Sequence, residues 1–167
     1  MSPNFLAVFV AAFVPMIVGF IWYNPKVFGN AWMKAAGMTE EKMKGANMLV
    51  IFGVSFLLSL MLAFSMTIIS YHQTFVHNSL INQPGFNDPN SEVSRYFADY
   101  MAKYGTNFRT FSHGMAHGIL IAGLFIVLPV LGTNALFERK GFKYIAINVG
   151  YWLVTLGLMG GIVCAWI

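Results

Sequence analysis

The chain has 167 residues, of which 57% are hydrophobic and only 10% are charged. A typical soluble domain carries about 25% charged residues, so this chain has too little polar surface to cover its apolar side chains in water. The formal net charge of +4 is modest, and no Lys/Arg cluster is interleaved with stacking aromatic residues, which argues against nucleic acid as a partner. Composition therefore indicates an integral membrane protein.

The apolar residues fall into four blocks, each long enough to cross a bilayer. About 20 helical residues span roughly 30 Å of hydrocarbon. Lipid offers no hydrogen-bond partners, so each block must satisfy its own backbone as a helix. We predict an all-α fold, a single-domain four-helix transmembrane bundle over residues 1–167, with spans at about residues 5–23, 48–71, 114–133 and 144–167. Pro15 should kink the first span, because it has no N–H to donate.

Basic residues predict the orientation of the bundle. The loops at residues 24–47 and 134–143 together hold seven of the ten lysines and arginines. The positive-inside bias places these short loops in the cytoplasm, which gives an N-out/C-out topology. The remaining loop, residues 72–113, then lies outside.

The outer loop contains a predicted amphipathic helix. Turn-forming residues at 83–90 precede Ser91, which suits the N-cap position, and aromatic residues recur at helical spacing as far as Tyr104. We expect this helix to lie at the outer membrane surface with its aromatic face down, or to pack over the ends of the spans.

All four histidines of the chain lie on the predicted outer side. His113 and His117 are four residues apart, so both rings lie on one helical face. His72 and His77 follow the end of the antiparallel second span. Four imidazoles near one pocket can bind zinc, copper or haem iron, with His113 and His117 as the core of the site. The alternative is that His72 and His77 lie in a flexible exit, and that neighbouring helices satisfy all four rings by hydrogen bonds.

Other chemistry is not indicated. The sequence has no phosphate-binding loop, nucleophile elbow or cysteine pair. No ionisable Asp, Glu, Lys or Arg falls inside an apolar span, which argues against an ion-coupled transporter. We therefore expect a protein that is not an enzyme and has no cofactor beyond a metal or haem at the histidines.

Small residues predict close helix packing in the third and fourth spans. Such residues let helix backbones approach one another in lipid. They are Gly114, Gly118 and Ala122 in the third span, and Gly150, Gly157 and Gly161 in the fourth. Asn148 is expected to hydrogen-bond across to another helix.

Two stretches of the chain resemble the DUF1761 family of small multi-span membrane proteins. The first is Gly19 to Met33 (GFIWYNPKVFGNAWM), followed by GMTEE at residues 37–41. The second runs from TNALFERK at residues 133–140, through NVGYW at 148–152, to the Ala-Trp pair at 165–166. The resemblance implies the membrane architecture and a place in the bacterial inner membrane. It implies no activity, ligand or catalytic residue.

Three functions remain in competition. The favoured one is a non-catalytic accessory or scaffold subunit, which contacts membrane lipid and packs against itself or against other membrane subunits. The alternative is a binder or carrier of a small apolar molecule, a lipid or a metal near the outer histidines. A lipid-acting enzyme would need a second polar group beside a histidine, and the candidates Ser112, Arg109 and Asp99 are only sequence neighbours.

Overall fold

The computed structural model describes residues 3–166, and in that range the chain is helical with no strand. Four helices in this part of the chain are long and apolar enough to cross a membrane: Phe5–Trp22, Met48–Ser70, Phe111–Phe137 and Phe142–Ala165. We call them the first to fourth spans. The predicted all-helical fold, with four helices that are long and apolar enough to span, is confirmed, while the N-out/C-out topology stays a prediction. Ile167, the predicted end of the fourth span, lies outside the described residues.

Shorter helices connect and subdivide the spans. In chain order the elements are α1 (Phe5–Ala11), α2 (Val14–Trp22), α3 (Gly29–Ala36), α4 (Glu40–Met43), α5 (Met48–Ser70), α6 (His72–Leu80), α7 (Glu92–Tyr104), α8 (Phe111–His117), a π-helix (Gly118–Val127), α9 (Leu128–Phe137) and α10 (Phe142–Ala165). The first span is thus α1 and α2, and the third is α8, the π-helix and α9. The break between α1 and α2 lies just before Pro15, as the missing proline N–H predicts.

The third span is longer at both ends than its apolar block suggests. It begins at Phe111 rather than Gly114, because the side chain of Thr110 accepts a hydrogen bond from the backbone N–H of His113 at 3.2 Å and caps the helix. The predicted outer loop therefore ends before Phe111, and His113 belongs to the helix. At 27 residues the span is about 40 Å long, roughly 10 Å more than the hydrocarbon layer. The first turns of this helix can therefore lie at the membrane surface.

The fourth span is the centre of the bundle. Two thirds of its most apolar window (67%) is buried, against 39% for the first span, 11% for the second and 17% for the third. Gly114 and Gly118 lie directly against the backbone carbonyls of Gly160 and Leu156, and a Cβ at either glycine would overlap them. The close packing predicted for the third span is confirmed at these two glycines. Backbone contact of this kind holds helices together in lipid, where burial of apolar surface provides little driving force.

The connection between the second and third spans holds two helices. His72 begins α6, so it lies in a helix and not in the flexible exit that the sequence left open. Ser91 caps α7 by accepting a hydrogen bond from the N–H of Ser94 at 3.1 Å. The helix at residues 92–104 is therefore present, and its place on the outer membrane surface stays a prediction.

Candidate metal centre

Three histidines converge where the second span ends and the third begins. The Nε2 atoms of His72 and His113 are 2.9 Å apart, and those of His72 and His117 are 3.5 Å apart. One ring nitrogen from each of the three lies within 4.8 Å of the other two, and each ring is half-buried. These are the side chains of a three-ligand site.

The spacing of the nitrogens suits a single metal ion. Zinc–nitrogen bonds of about 2.0–2.1 Å in a tetrahedral site place neighbouring nitrogens about 3.4 Å apart. The two distances at His72 lie on either side of this value. The ring nitrogens of His113 and His117 lie within 4.8 Å of each other, and a shared ion requires about 3.4 Å between them.

The orientation of His117 is set by the end of the second span. Its Nδ1 lies 2.8 Å from the carbonyl oxygen of Ile69. A carbonyl only accepts, so Nδ1 carries the proton and Nε2 is left with a lone pair. The Ile69 carbonyl is one of the last four of its helix, which have no partner within the helix. Metal-binding histidines commonly donate their second nitrogen to a carbonyl in this way.

Close packing of the third span against the fourth fixes the positions of His113 and His117. Each directly precedes one of the glycines that contact the fourth span, Gly114 and Gly118. Successive helical residues point about 100° apart, so the two rings turn away from the fourth span and towards the end of the second. The π-helix begins at Gly118, immediately after His117. π-Helical segments are rare in proteins as a whole, and those that do occur are often found at functional sites.

His72 is positioned by the turn between α5 and α6. Tyr71, in extended conformation, separates the two helices and is buried. Its hydroxyl donates to the carbonyl of Val163 in the fourth span at 2.6 Å. The turn that carries His72 is therefore fastened to the central helix of the bundle.

Arg109 strengthens the same attachment. Its guanidinium carbon lies 3.8 Å from the centre of the Tyr71 ring. Its Nε donates to the carbonyl of Cys164 at 2.8 Å, and its Nη2 to that of Trp166 at 3.3 Å. These carbonyls lie at the end of a helix, where a cation also interacts favourably with the helix dipole.

Phe108 covers one side of the cluster. Its ring stacks on His72 with 5.1 Å between centroids and 25° between planes, and lies 5.1 Å from His113. The backbone of Phe108 has φ of 63°, a left-handed conformation that is strained for a residue other than glycine. Strained residues of this kind are concentrated at functional sites.

His77 lies apart from the other three histidines. Its ring packs edge-on against Phe86 at 5.5 Å and Phe97 at 5.6 Å. Residues five apart on a helix differ by about 140° in direction, so His72 and His77 cannot face the same point from α6. The structure therefore brings together three of the four histidines that the sequence selected.

Gln73 is a residue of this region that the sequence analysis did not select. It is only 1% exposed, and its Nε2 donates to the carbonyls of Tyr104 at 3.2 Å and Asn107 at 2.8 Å. Within residues 3–166, its Oε1 has no hydrogen-bond donor. Gln73 and His72 both line a cavity of about 330 Å³. In the sequence, a single glutamine after an apolar block does not indicate that its side chain will be buried and hydrogen-bonded.

The aromatic residues of the stretch at residues 19–33 form a second cluster, away from the histidines, that has a structural role. Tyr23 and Trp32 both donate to Oδ1 of Asn148, at 2.9 and 3.2 Å. Trp22 donates to the carbonyl of Ile147 at 3.1 Å. The predicted bond from Asn148 to another helix is confirmed, and these contacts tie the first loop to the fourth span.

These features define a multi-pass, all-helical membrane protein with three histidines clustered at one end of its bundle. The family DUF1761, described as a protein of unknown function, matches residues 6–164, and the chain belongs to this family. The resemblance seen in the motifs is thereby confirmed. No match is found among curated proteins, and none among solved structures.

Proposed function

We propose that this membrane protein binds one transition-metal ion, Zn²⁺ in the first instance, through the Nε2 atoms of His72, His113 and His117. The observation that carries the proposal is their convergence, with 2.9 and 3.5 Å between nitrogens contributed by the third span and by the start of α6. Imidazole is a preferred ligand of zinc, and three histidines with one further position form a common zinc geometry.

Hydrogen bonding alone accounts poorly for this arrangement. His117 presents a lone pair at Nε2, because its proton is on Nδ1. The Nε2 of His72 faces both this atom and the Nε2 of His113. That nitrogen of His72 carries either one proton or one lone pair, so it can form a good hydrogen bond with only one of its two neighbours. A metal ion at the centre satisfies all three nitrogens together, which supports a metal over the simple hydrogen-bonded cluster.

A bare ion fits better than haem iron. Two axial histidines lie on opposite sides of a porphyrin plane, with their nitrogens about 4 Å apart for metal–nitrogen bonds of about 2 Å. The distances of 2.9 and 3.5 Å at His72 are too short for a porphyrin between the rings. We therefore propose metal binding without haem.

Metal analysis of the purified protein tests the proposal. The protein, extracted in mild detergent and equilibrated with Zn²⁺, should retain one zinc per chain after dialysis. His72→Ala, His113→Ala and His117→Ala should each weaken zinc binding by at least about 100-fold, since each removes a ligand. The matched control is His77→Ala, because this ring packs on Phe86 and Phe97 instead. Equal weakening by His77→Ala, or a wild-type protein without zinc, would refute the proposal.

A second candidate function is that of a non-catalytic subunit in an assembly. The second and third spans have only 11% and 17% of their apolar windows buried, which leaves long faces for lipid or for another subunit. The first half of α5 is exposed along almost its whole length, with Leu49 at 85%. This face supports packing against a second copy or against other membrane subunits. We place such an assembly in the bacterial inner membrane, with both termini outward.

Native mass spectrometry separates these arrangements. A mass that is a multiple of 18.6 kDa would support a homo-oligomer, and additional polypeptides would support an accessory subunit. A bare monomer from gently extracted membranes would contradict the assembly role. It would leave the metal proposal intact, because all three ligands come from one chain.

A further inference from the structure

The first two spans enclose a cavity where they separate from one another. The first span breaks between α1 and α2, and α1 packs against α5, where the rings of Phe9 and Phe13 lie 5.8 and 4.8 Å from that of Phe56. In contrast, α2 packs on the fourth span, where the hydroxyl of Tyr151 donates to the carbonyl of Pro15 at 2.8 Å. A cavity of about 610 Å³ therefore lies between α2 and the first half of α5.

The wall of this cavity is largely apolar, and most of its polar groups are already bonded inside the protein. Tyr23 and Trp32 both donate to Asn148. The hydroxyl of Ser59 donates to the carbonyl of Ser55 at 2.7 Å. The apolar side chains of the wall include Met16, Phe20, Met48, Ile51 and Phe52. Such a wall offers few hydrogen bonds to a polar molecule and suits a hydrocarbon chain.

The length of the cavity matches one leaflet of a bilayer. On α5 its wall runs from Met48 to Ser59, a distance of about 16 Å at the helical rise of ~1.5 Å per residue. Half of a hydrocarbon layer of roughly 30 Å is about 15 Å. One extended acyl chain can therefore lie along the cavity. A helix about 10 Å across would fill the same volume with less than two turns, so a span of another chain fits it poorly.

One end of the cavity lies at the basic end of the bundle. Trp32 and Met48, which line it, come from α3 and from the start of α5, within and directly after the first short loop. Lys140 donates to the carbonyl of Ala36, so the two short loops lie together. These loops, residues 24–47 and 134–143, carry seven basic and three acidic residues, whereas the rest of the chain carries three of each. The formal net charge of +4 therefore lies entirely at this end.

We propose that this cavity binds one acyl chain of an anionic phospholipid, with the phosphate among the lysines of the two short loops. Basic residues at a membrane surface attract anionic headgroups, and the apolar wall takes the chain. The lipid would fill the space between α2 and α5 and hold the first loop in place. The metal centre is a separate site, because its histidines lie where the second span ends and this cavity lies where that span begins.

Native mass spectrometry with defined lipids tests this inference. The full-length protein, freed of lipid in detergent, should retain one phosphatidylglycerol per chain. Its affinity for phosphatidylglycerol should exceed that for phosphatidylcholine by at least about 5-fold, the contribution of a single lysine near the headgroup. Both lipids carry the same acyl chains, so the comparison isolates the headgroup. Equal retention of the two lipids, or retention of neither, would overturn the proposal.

A larger side chain inside the cavity should exclude the acyl chain. A Cβ at Gly19 on the cavity wall meets Tyr151 at 3.7 Å, an ordinary contact, so the fold admits a side chain there. Gly19→Leu should weaken phosphatidylglycerol binding by at least about 10-fold, because the leucine overlaps the chain. The matched control is Gly53→Leu on α5, where a Cβ comes within 4 Å of no neighbouring atom in the described part of the chain. Equal lipid affinities of the two variants would refute the assignment of the cavity.

Two further variants keep the test decisive. If Gly19→Leu does not fold, Ser55→Leu fills the cavity from α5 and keeps the backbone carbonyl to which Ser59 donates. Lys34→Gln, at an exposed position close in sequence to Trp32, should weaken phosphatidylglycerol binding by about 5-fold and leave phosphatidylcholine unaffected. A lipid-free dimer that Gly19→Leu converts to a monomer would show a second copy in the cavity and overturn the proposal. Zinc binding should be the same in all these variants, so the metal proposal is tested separately.

Discussion

His117 in the third span donates from Nδ1 to the carbonyl of Ile69, the penultimate residue of the second span, at 2.8 Å. This bond satisfies a carbonyl that the helix leaves unpaired, and it fixes the ring with Nε2 towards His72. One contact thus joins two spans and prepares a metal ligand. Because the same His117 ring forms the hydrogen bond and would bind the metal, metal binding should also stabilise the junction of the second and third spans.

Zinc should therefore raise the thermal stability of the protein. A ligand that binds only the folded state stabilises by about 2.7 kcal/mol at 100 times its Kd. The unfolding temperature in detergent should rise with zinc in the wild type and stay constant in His117→Ala. His77→Ala is the control and should respond like the wild type. A zinc-induced rise in His117→Ala would contradict this coupling.

Gly118 should tolerate no side chain. Gly118→Ala places a Cβ against the carbonyl of Leu156, and the third and fourth spans must separate to admit it. Overpacking of this kind costs about 1–3 kcal/mol. The matched control is Gly132→Ala in the same span, where a Cβ comes within 4 Å of no neighbouring atom in the described part of the chain. Unfolding in detergent should show a lower stability for Gly118→Ala only, and equal stability of the two variants would count against the backbone contact.

Arg109 should contribute to stability through the end of the fourth span. Arg109→Ala removes two hydrogen bonds to terminal carbonyls and the contact with the Tyr71 ring. Charged hydrogen bonds are worth about 1.5–3 kcal/mol, so a loss of about 2 kcal/mol is expected. Arg95→Ala is the control, because Arg95 is exposed and its Nε donates to the carbonyl of Ser91, the N-cap of its own helix. An unfolding temperature unchanged by Arg109→Ala would show that the cap is not important.

The orientation of the bundle can be tested by cysteine labelling. Asn90→Cys lies in the connection between α6 and α7, and should react with a membrane-impermeant maleimide on intact cells. Glu138→Cys, in the connection between the third and fourth spans, should react only after permeabilisation. The native Cys164 is buried and gives a low background. Reversed labelling of the two positions would invert the topology.

The four spans were predictable because a bilayer imposes length and composition on each helix separately. A block of about 20 apolar residues must be helical in lipid, whatever its neighbours are. The break at Pro15 follows from the chemistry of proline alone. The ends of the helices were harder to predict from the sequence, as the start of the third span shows. It depends on Thr110, a polar cap outside the apolar block.

The histidine cluster was predictable only in part. His113 and His117 follow from the period of one helix. The position of His72 depends on the turn at Tyr71. The hydroxyl of Tyr71 holds this turn through a hydrogen bond to Val163, a residue 92 positions away in the sequence. His77 was included because it is near in sequence, but the geometry of α6 points it elsewhere. Gln73 could not be recognised, since its burial and its hydrogen bonds to Tyr104 and Asn107 join residues more than 30 positions apart.

X-ray absorption at the zinc edge of the zinc-loaded protein is the most direct test of the metal site. The structure predicts three imidazole nitrogens, with metal–nitrogen distances of about 2.0–2.1 Å, and no sulfur ligand. The imidazole signal should fall by one ring in His72→Ala and stay unchanged in His77→Ala. A site with fewer than three imidazoles in the wild type, or with a sulfur ligand, would contradict metal binding by His72, His113 and His117.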